Sequence, residues 1–411
     1  MRDQRMLIGT RFVLAIATLL AVESAQADDW RQFRGNDSSG VSLEQDLPTD
    51  VAAPEAVQWK VPLPGRGLSG PTVVGDRIFL TASQGYRDDQ LHVLCFDASS
   101  GKQLWDRSFQ ATGRTVCHET MCMATPQPCS DGERIYAYFS CNDVICLDLD
   151  GNLIWYRGLG LDYPNASNSL GMSSSPVVVD GTLVLQLDTD AESFAIGLDS
   201  LTGETRWRQS RARSAIHASP TLFQTATSPA PQVILQSKDD LVSLNPRTGG
   251  EYWKVAQSCA SIPSTTVAGD MLLAPLKGLT ALRITGTREV PETIWSEGRL
   301  SPSAPTPVVY GDRVYAVKSS VLTCADLHTG KVSWQLRLDA KGGWSSPVVG
   351  DGHLYTLDDQ GVLNVVQLDG EKGKVVSRVE LGEAVLCTPA IANGAVFVRS
   401  DQHLWKFAAA N

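Results

Sequence analysis

Asp199-Ser200-Leu201-Thr202-Gly203-Glu204-Thr205-Arg206-Trp207 is the stretch from which the fold can be read, because it recurs. The same plan runs from Phe96-Asp97 to Gly101 and Trp105, and from Leu147-Asp148 to Gly151 and Trp155. It returns from Leu244-Asn245 to Gly249 and Trp253, and from Ala325-Asp326 to Gly330 and Trp334. A fifth unit keeps Trp295 but loses the Asp and the Thr-Gly, and the seventh has no Trp. Upstream of each stretch stand a small residue with Pro, an apolar run, a Gly/Asp turn and a second apolar run. The Pro markers are Pro71, Pro126, Pro176, Pro220, Pro263, Pro307, Pro347 and Pro389. The turns include Gly75-Asp76, Asp180-Gly181, Gly311-Asp312, Asp351-Gly352 and Asn393-Gly394.

Two short runs rich in Val, Ile, Leu and Tyr around an Asp-Gly or Thr-Gly turn signal a β-hairpin. Two hairpins per unit, with no 3.6-residue apolar period, make one blade of a propeller. The eight Pro markers therefore predict an all-β protein: a single eight-bladed β-propeller of four-stranded antiparallel blades. Trp59, in Val57-Gln58-Trp59-Lys60, has no blade start before it, while the last blade ends at Trp405-Lys406-Phe407 without a fourth strand. The N-terminal strand near Trp59 is expected to close the ring there, which removes an exposed sheet edge.

The 411 residues carry 35 Lys and Arg against 45 Asp and Glu, a net charge of −10. An acidic balance without a basic run argues against nucleic-acid binding, whose footprint is clustered Lys and Arg. At the start, Arg2, Arg5 and Arg11 lead into an apolar run from Phe12 to Val22 and then Ala25-Gln26-Ala27. This is the pattern of a secretory signal peptide, and the apolar run is too short to span a bilayer. The expected organisation is a signal peptide over 1–27, an N-terminal extension over 28–56 and the propeller over 57–411. An exported chain, periplasmic or extracellular, with no membrane span follows.

Seven of the ten tryptophans (Trp59, Trp105, Trp155, Trp207, Trp253, Trp295 and Trp334) hold one repeat position. A large ring at a fixed register is what blade-to-blade packing requires, so they read as structural docking residues. The segments around Trp105, Trp207 and Trp334 resemble the tryptophan-docking repeat of the PQQ-repeat, quinoprotein alcohol dehydrogenase-like propellers. That superfamily includes pyrroloquinoline-quinone (PQQ) dehydrogenases and non-catalytic members similar to the assembly scaffold BamB. Trp30-Arg31-Gln32-Phe33-Arg34-Gly35 also looks like the mature N-terminus of exported PQQ-repeat proteins of planctomycete type. The dehydrogenases typically carry two adjacent cysteines over the quinone, and no Cys-Cys dipeptide occurs here.

Strand order places the tight Gly/Asp turns on one face and the loops between blades on the other. Most offsets from a docking Trp to the next Pro are 10 to 13 residues, but Trp105–Pro126 and Trp155–Pro176 are 21. Enlarged loops on a rigid scaffold are where binding residues concentrate. The candidates there are Arg114, Cys117, His118, Glu119 and Cys122 in the first loop, and Tyr163, Asn165, Asn168 and Ser173 in the second. His217, just ahead of a blade Pro, is a further candidate facing the channel.

Cys117 and Cys122 can be a disulfide, a ligand or redox pair, or free thiols. Their spacing lacks the paired C-x₂-C of ordinary zinc sites, and no metal is assigned. Cys95, Cys146 and Cys324 occupy the register of Gly197, Ser243 and Ala281; Cys129 is read as replacing Val74 and Val179. These four and Cys387 read as small packing residues. Gly65-x-Gly67-x-x-Gly70 runs into a strand rather than a helix, so it is not a dinucleotide fingerprint. Asp188-x-Asp190-x-Glu192 lacks the Gly of a calcium loop and reads as a solvated acidic loop.

Catalytic residues are not legible, nor is an oligomeric state. The favoured reading is a non-catalytic binding or scaffold protein whose long-loop face takes a protein, peptide or polysaccharide partner, with no cofactor. The alternative implied by the resemblance is a quinoprotein dehydrogenase that oxidises an alcohol or sugar with PQQ and Ca²⁺.

Overall fold

A computed structural model describes residues 29–167, 169–368 and 371–409, so the signal-peptide segment lies outside the described residues. Eight four-stranded antiparallel sheets stand around a central channel. Among the described residues, helix is confined to the single turn Leu159–Asp162 and to the 3₁₀ turns Pro54–Ala56 and Gly298–Leu300. Blade 1 runs outward as Thr72–Val74, Arg77–Gln84, Gln90–Asp97 and Gln103–Gln110, and later blades repeat this order. The middle two strands of each blade are largely buried on both faces, whereas the outermost alternate or are exposed.

Ring closure follows the sequence expectation. Val57–Pro62 pairs antiparallel with His403–Ala408 and is the outermost strand of blade 8, with Trp59 opposite Lys406. Two markers need correction. The residues that enter the inner strands of blades 2 and 5 are Pro128 and Thr265; Pro126 and Pro263 lie two positions earlier, in the preceding loops. The cause is visible in the ladder, where Cys129 pairs with Tyr136 as Thr72 pairs with Phe79 and Val177 with Val184. Cys129 therefore matches Thr72 and Val177, not Val74 and Val179.

The docking tryptophans have a common geometry. Trp105 Nε1 donates to Leu149 O (3.0 Å), Trp155 to Ser200 O (3.0 Å), Trp207 to Pro246 O (2.7 Å) and Trp295 to Leu327 O (2.7 Å). Each acceptor is the carbonyl following the repeat Asp or Asn of the next blade. Trp59 donates one residue further along the turn, to Ser99 O, 3.1 Å away. The turn glycine of that next blade lies beneath the ring: a methyl on Gly249 would stand 2.6 Å from Trp207, and one on Gly330 2.6 Å from Trp295. Blade 5 lacks this turn, and Trp253 accordingly bonds within its own blade to Gln232 Oε1 at 3.0 Å. Directly across the strand from each Trp is a small residue, Cys95, Cys146, Gly197, Ser243, Ala281 or Cys324, followed by a bulge.

The repeat carboxylates cap these turns. Asp97 Oδ1 accepts from Ser100 N (2.7 Å), Asp199 Oδ1 from Leu201 N (2.8 Å) and Asp326 Oδ1 from Thr329 N (2.8 Å). Bonds from Ser100 and Ser99 hold the Asp97 carboxyl down at about 2.

The N-terminal extension has a role its sequence does not announce: it lies across the channel on the tight-turn face. Trp30 pairs with Val73 of blade 1, Arg31 O accepts from Ser130 N of blade 2 (2.8 Å), and Ser38 Oγ accepts from Leu222 N of blade 4 (3.3 Å). Val41 bridges to Val349 of blade 7, and Glu44 accepts from Asn393 N (2.9 Å) and Gly394 N (3.0 Å) of blade 8. Arg34, 1% exposed, reaches Thr306 O (2.9 Å), Pro307 O (2.7 Å) and Thr266 Oγ1 (3.3 Å) of blades 5 and 6. A guanidinium has five donors, and carbonyls at this density satisfy them without a carboxylate. Burial still pulls the Arg34 guanidinium down to about 9.

Candidate functional site

The channel is left open on the long-loop face, where it forms a cavity of about 600 Å³. Its wall includes the residue two positions ahead of each inner strand. In six consecutive blades this residue carries a hydroxyl: Ser175, Ser219, Ser264, Thr306, Ser346 and Thr388. Each hydroxyl oxygen accepts a backbone N–H from the preceding blade, Gln127, Ser175, Ser219, Ser264, Thr306 and Ser346 in turn, at 2.9–3.0 Å. This hydroxyl belt ties neighbouring blades together at the axis, each link worth about 1 kcal/mol. Gly70 interrupts it, because the Gln127 amide occupies the space a side chain there would need: a methyl would stand 2.5 Å from Gln127 Oε1.

Phe33, carried by the N-terminal segment that closes the far end, lines the cavity from below. Leu68, Met121, Leu170, Ile262 and Leu386 form much of the wall, and Trp344, 49% exposed, stands at the mouth. No Asp, Glu, Lys or Arg is among the lining residues. The polar features beyond the belt are Ser173, Ser261, Thr120, Thr125 and two imidazoles, His118 and His217. Ser173 Oγ lies 3.0 Å from His217 Nδ1, and burial lowers the His217 pKa, which favours the neutral ring.

Of the residues singled out from the sequence, His118, Ser173 and His217 meet at this cavity. Cys117 is half-buried beside it, with Sγ 3.5 Å from Met121 O, while Cys122 is buried and engages Thr125. Both are free thiols, so the disulfide option is not realised: the two sulfurs turn to different partners. Arg114, Glu119 and Asn165 are exposed and outside the wall; Asn168 lies outside the described residues. Tyr163 turns away to pack on Phe194, ring centroids 4.7 Å apart, under the Arg208 guanidinium. The acidic triplet is not a solvated loop throughout, since Asp188 is buried against Arg211 (3.1 Å) and Glu192 pairs with Arg208 (2.6 Å). The glycines of the G-x-G-x-x-G match serve packing: Gly67 makes room for Arg399 and Gly70 for Gln127.

Sequence reasoning missed Phe33, Trp344 and the belt. The belt was readable as a hydroxyl before Pro176, Pro220, Pro307, Pro347 and Pro389. Phe33 belongs to no repeat, so no register could place it.

An eight-bladed ring with tryptophan docking, closed by strands from both ends of the chain, defines a PQQ-repeat propeller. The chain belongs to this family: the family model described as outer membrane protein assembly factor BamB matches residues 51–192, 110–261, 171–334 and 317–411. Among solved structures it is similar to BamB from Moraxella catarrhalis, with TM-score 0.61, 16% identity, and coverage of 85% of this chain and 97% of that one. It is also similar to the quinohemoprotein alcohol dehydrogenase from Comamonas testosteroni, with TM-score 0.69, 13% identity, and coverage of 94% and 81%. A europium-containing methanol dehydrogenase gives TM-score 0.65 at 12% identity, covering 92% and 90%. No curated protein sequence matches the chain. At these identities the likeness is one of fold.

The cavity wall does not fit a quinone cofactor with its cation. PQQ carries three carboxylates, and a hard divalent cation takes oxygen ligands led by Asp and Glu. The lining supplies no carboxylate to hold the ion beside the quinone. Among the described residues, no three His, Cys, Asp or Glu side chains converge to hold a metal ion.

Proposed function

We propose that this protein is an exported, non-catalytic binding or scaffold propeller that holds a protein or peptide partner through its long-loop face. The observation that carries this reading is the one-ended cup: the N-terminal segment stoppers the channel with Phe33, leaving an apolar well open beside the two longest loops. Wells of this size, with apolar walls and a few convergent polar groups, are the usual form of a ligand site. Tyr86, Val116, Leu161, Leu170 and Trp344, all at least 42% exposed, stand on loops of that face. Exposed apolar side chains grouped on one face mark interaction surfaces. The BamB relationship supports a protein partner, and no helix among the described residues is long and apolar enough to cross a membrane.

A phage-displayed 12-residue peptide library selected on the immobilised protein tests the reading. Enriched peptides are expected to bind at least tenfold more weakly to Leu170→Asp and Trp344→Ala variants that melt like the wild type. No enrichment, or peptides indifferent to both substitutions, would contradict it.

A further inference from the structure

The chemistry of the cup narrows its ligand, on the reading that the cup is the binding site. Each of the six belt hydroxyls uses its oxygen to accept a backbone N–H, and none donates to a protein acceptor among the described hydrogen bonds. A hydroxyl is both donor and acceptor, so the belt retains six O–H donors for whatever fills the channel.

Two buried guanidiniums stand directly behind this belt. Arg34 bonds to the carbonyls of Thr306 and Pro307, so it is one residue's depth behind the blade 6 hydroxyl. Arg399, also 1% exposed, donates Nη1 to Ser69 Oγ (2.8 Å) and Thr81 O (2.7 Å), next to Gly70 in the cavity wall. Its Nε and Nη2 have no hydrogen-bond partner. Among the described residues neither arginine makes an ion pair; Asp37 and Asp401 act on them only through space. Cations not neutralised at contact distance raise the potential of a poorly screened well, where charge acts more strongly than in water. Above the belt the wall is mainly apolar, through Leu68, Met121, Leu170, Ile262 and Leu386, with His118, His217 and Ser173 among them.

We infer that the cup takes an amphiphilic organic carboxylate: the carboxylate accepts hydrogen bonds from the belt hydroxyls, and an apolar body packs on the walls above. A fatty acid and the free C-terminus of an apolar peptide share this chemistry. A cation meets like charge without a counter-ion, and a neutral analogue forfeits the field and the charge-assisted hydrogen bonds.

Titration calorimetry with octanoate, 1-octanol, octylammonium, acetyl-Leu-Leu-Phe acid and the same peptide as its C-terminal amide tests this on the intact protein. At least one acid is expected to bind tenfold or more tightly than its neutral counterpart, and octylammonium to bind more weakly than either. If octanoate alone shows the preference, the ligand class is lipid; if the peptide acid alone shows it, the class is a protein C-terminus. Thr306→Val is expected to cut the acid-over-neutral ratio several-fold and Thr306→Ser to retain it; should the valine variant not fold, the wild-type ratios still decide. Equal affinity of acid and neutral forms overturns the carboxylate assignment and leaves the cup as a site. If none of the five binds, the assignment fails, and the cup itself then stands or falls on the peptide selection.

Discussion

Replacing Gly249 by Ala adds one methyl group, and the structure assigns it two separate costs. The first is conformational: Gly249 has φ +69°, and an L-residue in the left-handed region costs about 1–2 kcal/mol. The second is steric, because the methyl would lie 2.6 Å from Trp207, whose ring is 8% exposed and bonded to Pro246 O. Overpacking costs about 1–3 kcal/mol and a displaced indole N–H about 1 kcal/mol more. Gly311→Ala is the matched control, since Gly311 has φ +55° but nothing within 4 Å of the new methyl. For a chain of 411 residues, the unfolding entropy is about 0.9 kcal/mol/K, so 1 kcal/mol is worth about 1.2 °C. Scanning calorimetry should therefore show Gly249→Ala melting about 4–7 °C below wild type and Gly311→Ala about 1–2 °C below. Equal shifts would refute the claim that the tryptophans lock blades by resting on the turn glycines.

Three other perturbations follow from the geometry. Hydrogen bonding is the leading influence on the Asp97 and Asp326 carboxyls, and desolvation, which pushes all four up, leads in Asp148 and Asp199; together the hydrogen bonds outweigh it and hold all four below their ordinary value. A depressed folded pKa gives stability above the unfolded pKa that is lost as pH falls through the folded one. Melting temperature should then fall from about pH 4 toward pH 2, less steeply in the fourfold Asp→Asn variant, and modestly because all four are in partial contact with solvent. Asp188→Ala strands the buried Arg211 and should lower the melting temperature by about 4–6 °C, for about 3–5 kcal/mol; adding Arg211→Met should recover much of it. Of the nine cysteines, Cys117 alone is not fully buried, so Ellman's reagent should titrate about one thiol in the native protein and nine after unfolding; Cys117→Ser should abolish the native reaction.

The ring was legible because a blade-to-blade contact must recur at fixed register, and the Asp, Gly and Trp that make it cannot be exchanged freely. Pro126 and Pro263 misled because a Pro two residues early, in the loop, looks the same in sequence as the Pro that enters the strand. Half of the candidate site was equally legible: His118, Ser173 and His217 lie on loops whose length marked them. Arg114, Glu119 and Tyr163 share those loops but point elsewhere, and loop membership does not fix side-chain direction. Phe33, Arg34 and Arg399 were hidden for a different reason. Their role arises where the N-terminal segment crosses the channel and where blades 8 and 1 meet, contacts between residues hundreds of positions apart.

On the proposed function, the ligand enters the loop-face cup above Phe33. Hydrogen exchange measured with and without a selected peptide tests it most directly. Protection is predicted in 111–127, 211–218 and around Trp344, with the opposite-face turns at Gly75-Asp76 and Gly311-Asp312 unchanged. Protection confined to those turns and to 29–47, with the loop face unaltered, would contradict it.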